Sequence, residues 1–187
     1  PRQKMISMMY LVLTAMLALN VSAAIMNGYT AVDDSLRATL DATIESNNES
    51  YVKFKVALDQ NPAKIQSWHD KAMEIQQASN AFYEYVQHFK DEMVREAEGE
   101  DATKDVAVRD LAKKDDTNVP QRYAIDEGNA LELKEKINAY RDFMIEITGE
   151  SPALDAELRH TFVTPRGVNT SGDSISWEES MFHEMPI

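Results

Sequence analysis

The sequence predicts an all-α protein, in which a single N-terminal transmembrane helix leads into a helical bundle of about four main helices. Three observations support this fold class. Residues 5–32 form an unbroken run of uncharged residues, residues 65–93 carry apolar side chains at helical spacing, and strand patterns are nearly absent. The chain therefore divides into residues 1–27, which contain the membrane helix, and residues 28–187, which form the bundle.

The composition limits what the protein can do. The chain of 187 residues has a formal net charge of −13 and contains no cysteine. This acidity argues against nucleic-acid binding, because nucleic-acid affinity depends on basic side chains that displace counterions. Without cysteine the chain forms no disulfide, zinc ribbon, thiol nucleophile or cysteine-ligated cluster.

The N-terminal apolar segment is long enough to cross a membrane. As a helix, residues 5–26 would extend about 33 Å, against a hydrocarbon core of about 30 Å. Basic residues precede the segment and all acidic residues follow it, so the N-terminus is expected in the cytoplasm and the bundle outside. The alternative is a signal peptide with residues 5–19 as its apolar region and cleavage after Ala23. Because the run continues through Asn27 without Pro or Gly, we favour a retained anchor.

Small side chains recur every four residues within this segment, at Thr14, Ala18 and Ser22. They share one face of a helix, where the backbone of a second helix can approach closely. This stripe predicts a homodimer that packs through the membrane helix.

Three polar residues of the same segment need partners. Tyr10 and Asn20 require hydrogen bonds in lipid. Arg2 either extends to the lipid headgroups or pairs with an acid of another membrane subunit, since this chain has no acidic residue at that depth.

The first aqueous helices follow from their apolar spacing. The pattern resumes at Val32 and continues to Ile44, so the first helix either runs on as one rod to the polar residues 46–50 or bends at a hinge at Gly28. Asn61 followed by Pro62 predicts the start of the next helix, which stops near residues 96–99. Its predicted bundle core consists of Ile65, Trp68, Ile75, Phe82, Val86 and Phe89.

The middle of the chain is more polar. Residues 95–118 predict a solvated excursion with a short helix over residues 105–114. Asn129 and Glu132 have the spacing of a capping box, which predicts the start of a helix that ends before Gly149.

The C-terminal part predicts short elements. Residues 151–162 begin with Ser-Pro and predict a short helix, and residues 164–174 predict a loop. Ser176 and Glu179 then predict a second capping box, at the start of a final helix over residues 177–185.

We find no pattern that would support catalysis. A metal site in a helical bundle is usually built from two Glu-x-x-His motifs and further carboxylates. The sequence has one such pair, Glu157 with His160, and has no P-loop, HExxH, GxSxG or GxGxxG motif. We therefore expect no enzymatic activity, no metal and no cofactor.

Both ends of the chain carry family-specific residues. These are PRQKM, MYLV and MLALN within residues 1–20, and SWEESMF at residues 176–182. In these runs the sequence closely resembles the GldM (PorM) family of the type IX secretion and gliding-motility machinery of Bacteroidetes. The resemblance implies an N-terminal fragment that ends inside the first periplasmic domain, with residues 28–187 in the periplasm.

The same resemblance implies a rotary motor of the bacterial inner membrane, driven by the proton-motive force. A homodimer would stand inside a pentameric ring of GldL-type (PorL-type) subunits. Arg2 and Tyr10 would face a membrane-embedded glutamate of the ring, and torque would pass to further periplasmic and outer-membrane components.

Two other functions fit the same architecture. A membrane-anchored periplasmic four-helix bundle is also typical of ligand sensors, which need a second membrane crossing and a cytoplasmic output domain. A secreted helical binding protein would result if the chain were cleaved after Ala23.

Overall fold

The computed structural model describes the backbone of residues 2–149 and 151–187, and the side chains of residues 3–15, 24–149 and 151–187. The chain is 77% helical. Within the described residues, β-structure consists of one antiparallel pair of two-residue strands, β1 (Gly167–Val168) and β2 (Ser174–Ile175). The prediction of a mainly helical fold is therefore confirmed.

Helix α1 spans Arg2–Gln60 without a break. It passes through Gly28 as regular helix, so the hinge alternative is wrong and the prediction of one continuous rod is confirmed. At 1.5 Å per residue its 59 residues extend about 90 Å. The predicted end at residues 46–50 is wrong, because Ser50 donates its hydroxyl to the carbonyl of Ser46 at 3.0 Å. The Ser50 hydroxyl is thereby satisfied within the helix, and the helix continues through residues 46–50 to Gln60.

The side chains of residues 16–23 fall within the apolar segment and lie outside the described residues. In the part of the chain that is described, no helix contains an apolar segment long enough to span a bilayer.

Helix α2 spans Pro62–Glu98 and is antiparallel to α1. Its start at Pro62 is confirmed, with Asn61 at the N-cap position but without a side-chain cap hydrogen bond. Its predicted stop is also confirmed. Gly99 adopts a φ of +115°, which favours glycine, and donates its amide to the carbonyl of Arg95 at 2.8 Å.

The segment between α2 and α4 is not the solvated excursion that its polarity predicts. It contains a 3-10 turn at Val108–Asp110, a one-turn helix α3 at Asn118–Pro120 and a π-helical segment at Gln121–Asp126. Leu111 and Val119 are buried. The helix expected over residues 105–114 does not form beyond the 3-10 turn, because the few apolar side chains of this segment pack against the helices instead.

Helix α4 spans Asn129–Thr148, and its end before Gly149 is as predicted. The capping box at Asn129 is wrong. Gly128 occupies the N-cap position with a φ of +81°. The side-chain amide of Asn129 donates from Nδ2 to the backbone carbonyl of Tyr123 at 2.8 Å. That bond ties the start of α4 to the π-helical segment.

Two short helices complete the chain. Helix α5 spans Pro152–Thr161, and Ser151 accepts a hydrogen bond from the amide of Leu154. Helix α6 spans Trp177–Phe182 and begins with the predicted capping box between Ser176 and Glu179. The loop expected over residues 164–174 instead includes β1 and half of β2.

One hydrophobic cluster holds the domain together. It lies where the C-terminal half of α2 meets α3, the π-helical segment, the start of α4 and α6. No described residue of α1 belongs to it. We call this cluster the core; its buried members are Phe89, Met93, Ala97, Val119, Ala124, Ala130, Leu133 and Trp177.

Candidate functional site on the first helix

The residues predicted to act in the membrane lie on the first turns of α1. Tyr10 is 68% exposed, so among the described residues no other element covers its ring. The hydroxyl of Thr14 donates to the carbonyl of Tyr10 at 2.8 Å, which satisfies it within the helix. The side chains of Arg2, Ala18, Asn20 and Ser22 lie outside the described residues, and their predicted roles remain predictions.

An apolar stripe continues along α1 after the predicted membrane segment. Ile25, Tyr29, Val32 and Leu36 are spaced four, three and four residues apart and are all exposed. This spacing places them on one helix face. Ile25 also follows Ser22 by three residues, so the stripe extends the predicted dimer face at the same spacing. We call these four residues the seam.

The domain covers another side of α1. Met26, next to Ile25 in sequence, is only 8% exposed, and Asp33 and Arg37 are partly buried. A single helix therefore has one side that packs against its own domain and one apolar side that does not. The spacing from Val32 to Ile44 predicts a helix correctly, but these side chains are exposed.

Beyond Met26, helix α1 makes polar contacts with the domain at what we call the proximal contact, formed by Asp33 and Arg37 with residues 105–108. The Arg37 guanidinium donates from Nε to Asp33 Oδ2 at 3.0 Å, from Nη1 to Asp105 Oδ1 at 2.9 Å and from Nη2 to the carbonyl of Val106 at 2.8 Å. Asp33 Oδ2 also accepts the amide of Val108 at 3.0 Å. The two side chains thus fasten the loop to the helix.

The electrostatics of the proximal contact favour the charged forms of both side chains. Partial burial alone would raise the pKa of Asp33, but the Val108 amide and the Arg37 guanidinium outweigh it and lower that pKa. Burial alone would lower the pKa of Arg37, but its bonds to Asp33 and Asp105 raise it. Each group therefore holds the other ionised.

The second meeting point is the distal contact, between Tyr51 and Phe54 of α1 and His69 and Ala72 of α2. The rings of Phe54 and His69 stack with centroids 6.1 Å apart, and the Tyr51 hydroxyl donates to the carbonyl of Ala72 at 3.4 Å. Between the two contacts, residues 38–50 are all exposed. A cavity of 180 Å³ opens there between α1 and α2, beside Arg37 and Lys90.

The predicted bundle core is only partly covered. Phe89 is 6% exposed and belongs to the core, against which Val86 packs. Phe82 stacks on Tyr140 with centroids 4.7 Å apart, and Ile65 and Ile75 are half-buried.

Trp68 is the clear error in that prediction. Its side chain is 63% exposed, and the Lys71 ammonium lies 5.7 Å from its ring centroid. Helical spacing alone does not show where a long helix leaves the packed part of a bundle, and Trp68 lies beyond the core on α2.

Sequence reasoning missed the proximal contact because it treated residues 95–118 as solvated. The signal was the spacing of Val106, Val108 and Leu111 among charged residues, which is typical of a segment that packs on one side. Among the described residues, no group of three or more His, Asp or Glu side chains is arranged to hold a metal. The arrangement on α1 is suited to mechanical attachment.

Residues 24–187 match the family model described as the GldM N-terminal domain. The match covers both contacts of α1, the seam and the core. A search of curated proteins gives no match.

Proposed function

Since the chain belongs to the GldM family through its N-terminal domain, a family of the gliding-motility and type IX secretion machinery, we propose that it is a subunit of a rotary motor. Two copies form a shaft that stands inside a ring of five GldL-type (PorL-type) subunits in the bacterial inner membrane. The proton-motive force turns the shaft, and the periplasmic domain passes torque toward the outer membrane.

The unbroken helix α1 is the observation that carries this proposal. A shaft must resist bending between the site where force is applied and the site where it is delivered. Helix α1 extends from Arg2 to Gln60 without a proline or a change of helix type, and Gly28 lies within regular helix. A turn applied near Tyr10 is therefore delivered directly to the domain that begins at Met26.

The seam supports the dimeric form of the shaft. An apolar stripe with spacings of four, three and four suits packing of two parallel helices side by side. The predicted small-residue stripe of Thr14, Ala18 and Ser22 extends it toward the membrane. The occupant we propose for the seam is the same stripe on a second copy of this chain, related by a two-fold axis.

Arg2 and Tyr10 are the residues that we assign to coupling. In a medium of low dielectric constant an ion pair is strong only while both partners are charged. Protonation of a ring glutamate would release Arg2 and permit an angular step, to which one charge crossing 100 mV contributes about 2.3 kcal/mol. Two shaft helices cannot match five ring positions at once, so rotation meets no deep energy minimum.

The test compares Arg2→Gln and Tyr10→Phe with Lys4→Gln as a matched control at the same end of the helix. We expect the first two variants to stop gliding and secretion, and Lys4→Gln to leave both nearly unchanged. All three should co-purify with the ring, with two copies of the shaft per ring by native mass spectrometry.

Two results would contradict this proposal. Normal gliding of the Arg2→Gln variant would remove the coupling role of Arg2. Loss of the ring complex in the Arg2 and Tyr10 variants would make these residues structural and not part of energy coupling.

A further inference from the structure

We propose that Arg37 is the positioning residue through which α1, when it turns, carries the rest of the periplasmic domain with it. This inference rests on the proposed motor function. It adds a specific point of torque transfer, outside the membrane and distinct from the residues that face the ring.

The need for such a residue follows from how little of α1 is packed. No described α1 residue belongs to the core, and the side chains of residues 38–50 are all classed as exposed. Apolar packing therefore does not lock α1 to the domain along its length. Apart from the buried Met26, the attachment consists of the proximal contact and the distal contact.

The proximal contact is suited to transmit a turning force. The Arg37 guanidinium is planar and reaches three oxygen atoms of the loop: Asp105 Oδ1 at 2.9 Å, the carbonyl of Asp105 at 3.4 Å and the carbonyl of Val106 at 2.8 Å. Its Nε is held by Asp33, one turn earlier on the same helix. Because the bonds to Asp105 and Val106 leave a rigid group from two different nitrogens, rotation of α1 in either sense stretches at least one of them. A lysine at this position would keep the charge but lose this geometry.

The loop that Arg37 holds is itself fastened to α2. The amide of Asp105 donates to Asp91 Oδ1 at 2.8 Å, and Lys113 Nζ donates to the carbonyl of Ala97 at 2.6 Å. Ala97 is buried in the core at 3% exposure. Named contacts therefore lead from α1 through Arg37 and the loop to the core, which is the physical continuity that coupling requires.

The distal contact is less suited to this task. It consists of one ring stack and one hydrogen bond of 3.4 Å. Stacked rings slide more easily than a three-bond guanidinium contact. It also lies beyond the exposed stretch 38–50, farther from the membrane end where the turn is applied.

The experiment uses the full-length protein in its host, with variants Arg37→Met and Arg37→Lys. The matched control is Lys53→Met, since Lys53 is a cation of the same helix whose partner, Glu49, also lies on α1. Gliding speed, secretion and co-purification of the ring are measured for each. We expect Arg37→Met to lower gliding speed at least threefold, Arg37→Lys to be intermediate and Lys53→Met to match the wild type, all with an intact ring complex.

A cross-link supplies a readout that does not depend on motor activity. Asp34 and Arg109 form an ion pair of 3.3 Å beside the proximal contact, so cysteines at these two positions can be joined by a short bismaleimide. We expect a several-fold lower cross-linking yield when Arg37→Met is added. In the cells, the cross-link should restore gliding to Arg37→Met.

Other results would overturn either the role of Arg37 or the motor proposal. Normal gliding of Arg37→Met, in a host where Arg2→Gln stops gliding, would overturn this inference and leave the motor proposal standing. Normal gliding of both Arg37→Met and Arg2→Gln would overturn the motor proposal. An unchanged cross-linking yield, or loss of the ring complex in both Arg37 variants, would show that Arg37 does not position the helix.

Discussion

Helix α1 and the core differ in how far their side chains are buried and in the kind of contact that holds them. In the core, side chains such as Phe89 and Trp177 are less than a tenth exposed and pack in edge-on and tilted aromatic contacts around Phe182. On α1, seam residues such as Val32 and Leu36 are more than half exposed, and attachment depends on charged and aromatic contacts at two places.

The core and α1 therefore contribute differently to the folding free energy and to the transmission of force. Buried apolar area is the main source of folding free energy, so the stability of the domain resides where α2, α4 and α6 meet. A helix attached mainly by directional polar bonds contributes less to stability but can transmit a force along those bonds. One chain thus combines a stable body with a long helix whose apolar seam is exposed.

The largest expected effect compares two leucines. Leu133 is 8% exposed in the core, and Leu36 is 63% exposed on the seam. We expect Leu133→Ala to lower the free energy of unfolding by about 2–5 kcal/mol, because it leaves a cavity. At protein concentrations low enough to separate the copies, Leu36→Ala should change it by less than about 0.5 kcal/mol.

Urea unfolding of the full chain, followed by Trp177 fluorescence in a Trp68→Phe background, measures both values. Trp177 is buried, whereas Trp68 is exposed and would add signal unrelated to the core. Equal losses for the two leucine variants would mean that α1 is part of the folded core, contrary to the contacts described above.

A smaller effect is expected from pH at the proximal contact. The folded pKa of Asp33 is lowered, so its stabilising contribution is present above the ordinary carboxylate pKa of about 3.9 and is lost as pH falls through the lowered folded value. We expect Asp33→Asn to be less stable than the wild type at pH 6 and to approach it at low pH.

The control for this prediction is Asp59→Asn, an exposed acid at the far end of the same helix. It should show no such pH-dependent difference from the wild type. A stability gap between Asp33→Asn and wild type that is constant with pH would mean that packing, and not the charge of Asp33, holds the loop.

Local signals predicted the parts of the fold that depend on local physics. Pro62 after Asn61 predicts the start of α2, and Gly99 predicts its end, because these residues restrict or permit particular backbone angles. The capping box at Ser176 was predictable for the same reason. Helical spacing likewise predicted α4, whereas at Gly28 it left a continuous helix and a hinge as alternatives, and the structure has the continuous helix.

The errors occurred where tertiary contacts decide the outcome. The box at Asn129 does not form because Asn129 bonds to Tyr123, and Trp68 is exposed because α2 extends beyond the core. The polar segment 95–118 is ordered by Arg37 and Asp33, which lie more than sixty residues earlier in the chain. The apolar spacing of Val106, Val108 and Leu111 indicates that the segment packs, but a bond of that sequence separation leaves no periodic pattern that would name its partner, so the pairing with α1 required the structure.

Cysteine cross-linking in native membranes tests the shaft most directly, since the chain has no cysteine of its own. Val32→Cys places a thiol on the seam, and Ala31→Cys places one on the adjacent residue, which is exposed but turned about 100° around the helix. If two copies pack through the seam, we expect efficient copy-to-copy cross-linking at position 32 and little at position 31. Equal yields at both positions, or none at position 32, would contradict a dimeric shaft packed through the seam.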